Sequence, residues 1–329
     1  MSFDRHALPL VVFACSLAAT FALQGYLLLQ ATNIVALSIA ILGLNLLAGY
    51  NGQISLGQGA FVAMGGYTAA ILLNRLDLPF WLAVPASGVT SMLLGLLIAI
   101  PAVRLELLYL ALATFSLAVA LPQIIKNKFV AMLTGGVEGL TIKRPAPWSA
   151  LGLNLDQTLY LYAVLVAALM FWLVSNLVRS RVGRALEAIK DQPVAAETMA
   201  ISTTFYKRAT FCVSAFLTGI AGGLGALTTG FVSADSYNIF TSITLLVGAV
   251  VGGFRSIFGA IFGAAFIVLV PLYAENVAQG AAWAVFGAAT ILIMWVMPEG
   301  FAGLCRTLGA RLRRPSLPLR APAASEARS

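Results

Sequence analysis

The sequence predicts an all-α integral membrane protein with about ten transmembrane helices, each needing ~20 apolar residues. Three observations carry that prediction. Of 329 residues, 60% are hydrophobic and only 10% charged, whereas a soluble domain carries roughly 25% charged residues. No Asp, Glu, Lys or Arg occurs between Ala7 and Asn74, and at ~1.5 Å per residue that run could cross a ~30 Å hydrocarbon layer about three times. Further charge-free runs occupy 78–103, 107–125, 157–178, 209–234, 236–254, 256–274 and 276–298, each long enough for one crossing.

Taken in order, the expected spans are 8–30, 33–49, 56–73, 80–101, 105–124, 157–178, 209–230, 238–253, 257–274 and 281–298. The run after Arg5 reaches no small-residue cleavage site, so it reads as a retained first span rather than a signal peptide. Cys15, behind Val12-Phe13-Ala14, makes a poor lipoprotein-type site. Asn51-Gly52, Asp77-Leu78-Pro79 and Pro101 mark the joints after the second, third and fourth spans. Within 236–274, Arg255 marks a tight turn between two short helices. These spans form one transmembrane domain, 1–305, with an external loop at 125–156 and a cytoplasmic loop at 179–208. The Arg-, Pro- and Ala-rich tail 306–329 reads as a disordered cytoplasmic extension lying against anionic lipid headgroups.

Basic residues set the expected orientation. With both termini cytoplasmic, Arg5, Arg104, Arg255, the basic residues of 179–208 and those of the tail fall inside, while Arg75, Lys126, Lys128, Lys143 and Arg144 fall outside. An inside excess of Lys and Arg is what membrane insertion selects. It accounts for most of the formal charge of +8 without a nucleic-acid partner.

Several chemistries are disfavoured. Asp235, Glu275 and Glu106 fall at span ends and no acidic residue falls mid-span, although ion-coupled carriers usually need one at depth. There is no His-Glu-x-x-His pair, no buried Asp dyad, and no Ser or Cys with a histidine base. His6 is the sole histidine and is terminal. Cys15, Cys212 and Cys305 have neither metal-ligand nor redox spacing and read as packing residues, so no metal site is expected. Gly-Lys never occurs, so a phosphate-cradling G-x-x-x-x-G-K-[ST] loop is missing. The chain is therefore expected to be no enzyme and to bind no cofactor, and the energy for active transport has to come from a partner.

Glycines four apart, Gly219 and Gly223, Gly248 and Gly252, and Gly259 and Gly263, share a helix face and favour close helix packing. Unwound backbone lining a cavity is the alternative, best placed at Gly49–Gly59 and Gly65-Gly66. Asn45, Asn51, Gln53, Ser55 and Gln58 are uncharged polar residues in or beside the second and third spans. They either line a pathway for a zwitterionic solute or tie helices together by hydrogen bonds. In 179–208, Val182, Leu186 and Ile189 share one helical face. Asp191 is placed to cap a second short helix, with Pro193 in its first turn and Glu197 near its positive end. This loop is either a docking element for a soluble partner or an amphipathic connector with topogenic charges.

The run Gly43-Leu44-Asn45-Leu46-Leu47-Ala48-Gly49-Tyr50-Asn51-Gly52-Gln53-Ile54-Ser55-Leu56-Gly57-Gln58-Gly59-Ala60-Phe61 resembles the signature of branched-chain amino acid ABC importer permeases. Gly183-Arg184-Ala185-Leu186-Glu187-Ala188-Ile189-Lys190-Asp191 with Ala195-Ala196-Glu197 resembles that family's ATPase-contacting loop. Thr134-Gly135-Gly136, the glycine-rich 219–225 and 248–263, and Met297-Pro298-Glu299-Gly300-Phe301 match in the same order. The resemblance covers residues 33 to 305 and is closest to the M-type subunit. One departure stands at Ala200, where family members often carry glycine.

The resemblance implies a ten-helix type II importer permease of the bacterial inner membrane. It also implies two ATPase subunits, a second permease that is a paralogue or another copy, and a periplasmic amino-acid-binding protein. ATP would be hydrolysed by the partner subunits, with Arg184, Glu187, Asp191 and Glu197 on the docking surface. Urea or amide permeases of the same family are the nearest alternative. A facilitative channel or carrier would need no ATPase, and a membrane enzyme would need a catalytic set that the sequence does not offer.

Overall fold

The computed structural model describes residues 25–102, 107–143, 154–277 and 280–297, with Ser16, Thr20, Gly300, Phe301 and Gly303 besides. Most of the expected first span, His6, Cys15, Arg104, Glu106, Arg144, Pro145–Trp148, Pro298-Glu299, Cys305 and the tail 306–329 lie outside them.

The first helix whose bounds are described, α1 (Tyr26–Leu44), runs on into a π-helical turn, Asn45–Tyr50. Then follow α2 (Gln58–Arg75), α3 (Phe80–Ala102), α4 (Leu107–Lys126), a short α5 (Lys128–Thr134) and β1 (Leu140–Thr141). The second half has α6 (Leu155–Arg179), α7 (Arg181–Asp191), α8 (Pro193–Thr198) and α9 (Thr203–Thr229). It continues with β2 (Phe231–Val232), a 3-10 turn (Ala234–Tyr237), α10 (Ile239–Gly252), α11 (Gly259–Val277) and α12 (Ala282–Val296). Nine of the ten expected spans coincide with a described helix. Five segments, Tyr26–Tyr50, Phe80–Pro101, Tyr109–Lys126, Leu155–Arg179 and Thr203–Thr229, are long and apolar enough to cross a membrane. α10, with 14 residues, reaches only about 21 Å, so it forms a short hairpin with α11.

One boundary moves. The division expected between 30 and 33 falls inside α1, and the break sits at Gly25, whose φ of 57° no β-carbon opposes. Gln30, Thr32 and Asn33 do not interrupt the helix. The Thr32 hydroxyl donates back to the Leu28 carbonyl at 2.8 Å, which satisfies it without disturbing the helical ladder.

α9 is the axis of the bundle. It packs along α1, α2 and α3, and 83% of its apolar window is buried against 28% for α6, so α6 is peripheral. Leu93, Leu97, Tyr109, Leu112, Leu169, Trp172, Ile291 and Trp295 are exposed. Such a belt of apolar side chains is untenable in water but suits hydrocarbon.

Glycine sets the helix spacing. A β-carbon on Gly65 would overlap the Gly219 carbonyl oxygen, and one on Gly222 the Val62 carbonyl oxygen, so α2 and α9 touch backbone to backbone. Gly252 and Gly259 stand in the same relation, as do Gly263 and Gly248. The two four-spaced pairs therefore face each other across the α10–α11 turn. Gly219 also lies on Ser87 and Ser91 of α3, and Gly223 on Ser87. Gly65-Gly66, an expected place for unwinding, is regular helix; its glycines serve close approach instead.

Connections alternate between two ends of the bundle. At one end Lys143 pairs with Asp77 at 2.9 Å and Lys126 with Asp235 at 2.5 Å. Leu140 pairs with Val232 across the two short strands. Gly135, with φ 71°, ends α5 there, and the Thr134 hydroxyl donates to the Ile125 carbonyl at 2.9 Å. The other end gathers 51–57, α7, α8 and 253–258.

Candidate functional site

The second end of the bundle holds every expected site residue except the packing glycines. The chain leaves regular helix after α1. The Asn45–Tyr50 turn widens to a π-helix, and 51–57 is neither helix nor strand. Asn51, Gln53 and Ser55 are nevertheless buried, at 3%, 6% and 1% exposure, while Ile54 between them is exposed, so one side of this irregular backbone packs into protein. Buried peptide groups then need partners. The Leu56 N–H donates to the Thr114 hydroxyl of α4 at 3.0 Å, the Gly57 N–H to the Ser55 hydroxyl at 3.2 Å, and the Gly59 N–H to the Ser242 hydroxyl at 2.8 Å.

Gln58 opens α2 and faces α9. Its Nε2 donates to the Ser214 hydroxyl at 3.2 Å, and its Oε1 accepts from the Thr218 hydroxyl at 2.6 Å. Asn45 Nδ2 donates to the Ser256 carbonyl at 3.1 Å, tying α1 to the α10–α11 turn. Asn51 Nδ2 donates to Gln53 Oε1 at 2.9 Å. The Oδ1 atoms of Asn45 and Asn51 have no hydrogen-bond partner among the described residues. All five polar residues are buried, so this conformation presents none of them to a solute; here they connect elements.

α7 and α8 form the surface element. The Ser180 hydroxyl accepts from the Val182 N–H at 3.1 Å, a side-chain N-cap for α7. Gly183 lets the chain fold back on α6, because a β-carbon there would sit 2.5 Å from the Val178 carbonyl carbon. Leu186 and Ile189 are buried at 0% and 1% exposure, while Arg184, Glu187, Asp191 and Glu197 are exposed. Asp191 does not cap α8: it is the last residue of α7, and Gln192 stands at the α8 N-cap without a side-chain bond. The residue before a proline is pushed out of helical geometry, and Gln192, at φ −150° and ψ 87°, takes that position. Asp191 instead faces Arg255 at 3.8 Å. Glu197 lies towards the C-terminal end of the short α8 rather than its positive end, and accepts from the Thr203 hydroxyl at 2.6 Å.

Ala200, with φ 61°, is left-handed. The Ile201 N–H donates to the Ala196 carbonyl at 3.1 Å, the long bond of a Schellman turn. Glycine suits that position and alanine is strained there.

Sequence reasoning passed over two participants, Met199 and Lys190, while it places Val194, with Ala195 and Ala196, on a small flat surface between the charges. Val194 and Met199 are 75% and 77% exposed, an apolar rim between the charges of α7 and α8. Lys190 turns inward: its Nζ donates to the Gly49 carbonyl at 2.6 Å, with its Cγ against Gly52. Burial lowers the Lys190 pKa, Arg255 adds to that, and Asp191 and Glu187 oppose it. Among the described residues, no group of His, Cys, Asp or Glu could hold a metal ion.

The family model described as the branched-chain amino acid transport system permease component matches residues 26–295. The high-affinity branched-chain amino acid transport system permease protein LivM of Salmonella typhimurium is 30% identical over 288 residues, covering 80% of this chain and 67% of that protein. LivM of Escherichia coli is 29% identical with the same coverage of both chains. No solved structure matches.

Proposed function

This chain belongs to the family of branched-chain amino acid transport system permease components, and from that membership we propose that it forms one half of the membrane pathway of an ATP-driven importer. Its solutes are branched-chain and other hydrophobic amino acids. Two separate ATPase subunits hydrolyse the ATP, and this chain binds no cofactor. A second permease, a paralogue of this chain, completes the pathway, and a periplasmic amino-acid-binding protein delivers the solute. The chain lies in the bacterial inner membrane with both termini cytoplasmic. An excess of basic residues at the α7–α8 end supports that orientation: Arg179, Arg181, Arg184, Lys190, Lys207, Arg208 and Arg255 lie there, against Arg75, Lys126, Lys128 and Lys143 at the other.

One observation carries the ATPase coupling. α7 and α8 bury Leu186, Ile189 and Ala196 towards the bundle and expose Arg184, Glu187, Asp191, Val194, Glu197 and Met199 away from it. A connector that served only to join α6 to α9 has no need of an apolar rim at Val194 and Met199 facing water. A partner groove that buried this rim, ringed by charges complementary to Arg184 and Glu187, fits it. Closure of the ATPases on ATP would then move α7 and α8, and through them the irregular segment 51–57. With no fixed charge among Asn45, Asn51, Gln53, Ser55 and Gln58, an opened pathway would hold a zwitterion weakly, and selectivity would rest with the binding protein.

The test is purification of the tagged chain from its native membrane in mild detergent, beside Glu187→Lys/Asp191→Lys. The wild type is expected to carry ATPase subunits and a second permease. The double variant is expected to lose the ATPases yet elute as a folded membrane protein. Full retention of the ATPases by the variant would sink the docking assignment.

A further inference from the structure

We propose that Lys190 is a positioning residue that couples the two ends of the energy pathway: a fixed strut through which α7 moves the unwound segment 51–57. The inference rests on the importer function proposed above and names the contact that transmits its force.

The geometry begins with an orphaned carbonyl. At the end of α1 the last carbonyls run out of helical N–H partners, and the Gln53 N–H goes back to the Leu47 carbonyl at 3.1 Å. The Gly49 carbonyl instead receives Lys190 Nζ at 2.6 Å. A cation there also faces the negative end of the helix dipole, so the ammonium is well matched to this one place. The lysine stem is held as well. Gly52 has φ 72° and turns its bare Cα towards it, so that a β-carbon on Gly52 would meet Lys190 Cγ at 3.1 Å.

Four further contacts make the junction rigid. A β-carbon on Gly49 would overlap the Phe254 carbonyl oxygen, so α1 ends directly on the α10–α11 turn. The Tyr50 hydroxyl donates to the Arg255 carbonyl at 3.0 Å, and Asn45 Nδ2 to that of Ser256 at 3.1 Å. Asp191, next to Lys190, faces the Arg255 guanidinium at 3.8 Å. Motion of α7 therefore reaches the end of α1 and segment 51–57 through Lys190, at Gly49 and Gly52, and the α10–α11 turn through Asp191 as well. Arg184 and Glu187 are exposed, and Glu187 acts on Lys190 through its charge. A merely structural lysine would hold the fold; a strut sets how much transport each ATP drives.

The test uses the complete transporter in lipid vesicles, measuring ATP hydrolysis and solute uptake separately. Lys190→Met keeps the apolar stem over Gly52 and removes the ammonium. It is expected to retain bound ATPases and at least half the ATP hydrolysis while uptake per ATP falls about tenfold or more. Lys190→Arg is expected to recover most of the loss.

A covalent link gives the positive control. A β-carbon on Gly52 would lie 3.7 Å from Lys190 Cβ, within the ~3.5–4.5 Å of a disulfide. In a background without Cys15, Cys212 and Cys305, Gly52→Cys/Lys190→Cys should transport when oxidised and uncouple when reduced. Unchanged uptake per ATP in Lys190→Met, or oxidised and reduced double variants that transport alike, would overturn the strut. Wild-type uptake independent of ATP would overturn the importer function itself, and the strut with it.

Discussion

Gly222→Ala and Gly225→Ala sit three residues apart on the same helix and should move stability in opposite directions. A β-carbon on Gly222 would overlap the Val62 carbonyl oxygen and stand 2.9 Å from its carbon and 3.0 Å from its Cα. Carbon atoms pack at ~3.5–4.0 Å, so α2 and α9 must part by roughly 0.5–1 Å at that level. Both sides of the contact are backbone, so no rotamer change relieves it. Overpacking of this kind costs about 1–3 kcal/mol, offset by about 1 kcal/mol of helix propensity. Gly225 has nothing within 4 Å, so alanine there keeps the propensity gain of about 1 kcal/mol and meets no clash. The two variants should thus differ by about 1–3 kcal/mol, the clash itself. A domain of 150–250 residues shifts by about 2–4 °C per kcal/mol, and a chain of this length by somewhat less. Heat challenge in detergent, followed by size-exclusion chromatography, reads the difference as several degrees. A Gly222→Ala midpoint at or above that of Gly225→Ala would refute the close approach of α2 and α9.

Two further outcomes follow from local geometry. Ala200→Gly should stabilise the α8 turn by about 1 kcal/mol, since the left-handed penalty for alanine disappears. Slower proteolysis of the α7–α8 segment is the readout, and unchanged cleavage would count against the strained turn. Gln58→Leu should lower stability by about 1–3 kcal/mol, because the buried Ser214 and Thr218 hydroxyls each lose their bond to it. Melting within a degree of wild type would show that those hydroxyls find other partners.

Much of this architecture was legible in charge spacing, because hydrocarbon penalises every ion and leaves the spans as gaps between charges. The α10–α11 turn at Arg255 was legible for that reason, and the facing of Gly248/Gly252 and Gly259/Gly263 adds a close fit that pairwise spacing only suggests. Errors arose where a local signal had two meanings. Asp191 before Gln192-Pro193 looks like a helix start, yet α7 runs through it and the proline constrains Gln192 instead. Gly65-Gly66 looks like a breaker, yet the pair stays helical and Gly65 lets the backbone of α9 approach at Gly219. Gly25, a lone glycine in an apolar run, carries the break that Gln30–Asn33 did not make. Lys190 was invisible for a different reason: its partner is a main-chain carbonyl 141 positions away, and a backbone acceptor leaves no mark on side-chain pattern.

The most direct measurement of the central claim is uptake of labelled leucine into vesicles holding the complete transporter with its binding protein. ATP, a non-hydrolysable analogue and no nucleotide are compared, with isoleucine, valine or urea as competitors. Import through an ATPase-coupled permease predicts accumulation with ATP alone, suppressed by isoleucine and valine and untouched by urea. Equal uptake in all three nucleotide conditions would contradict it and describe a facilitative carrier.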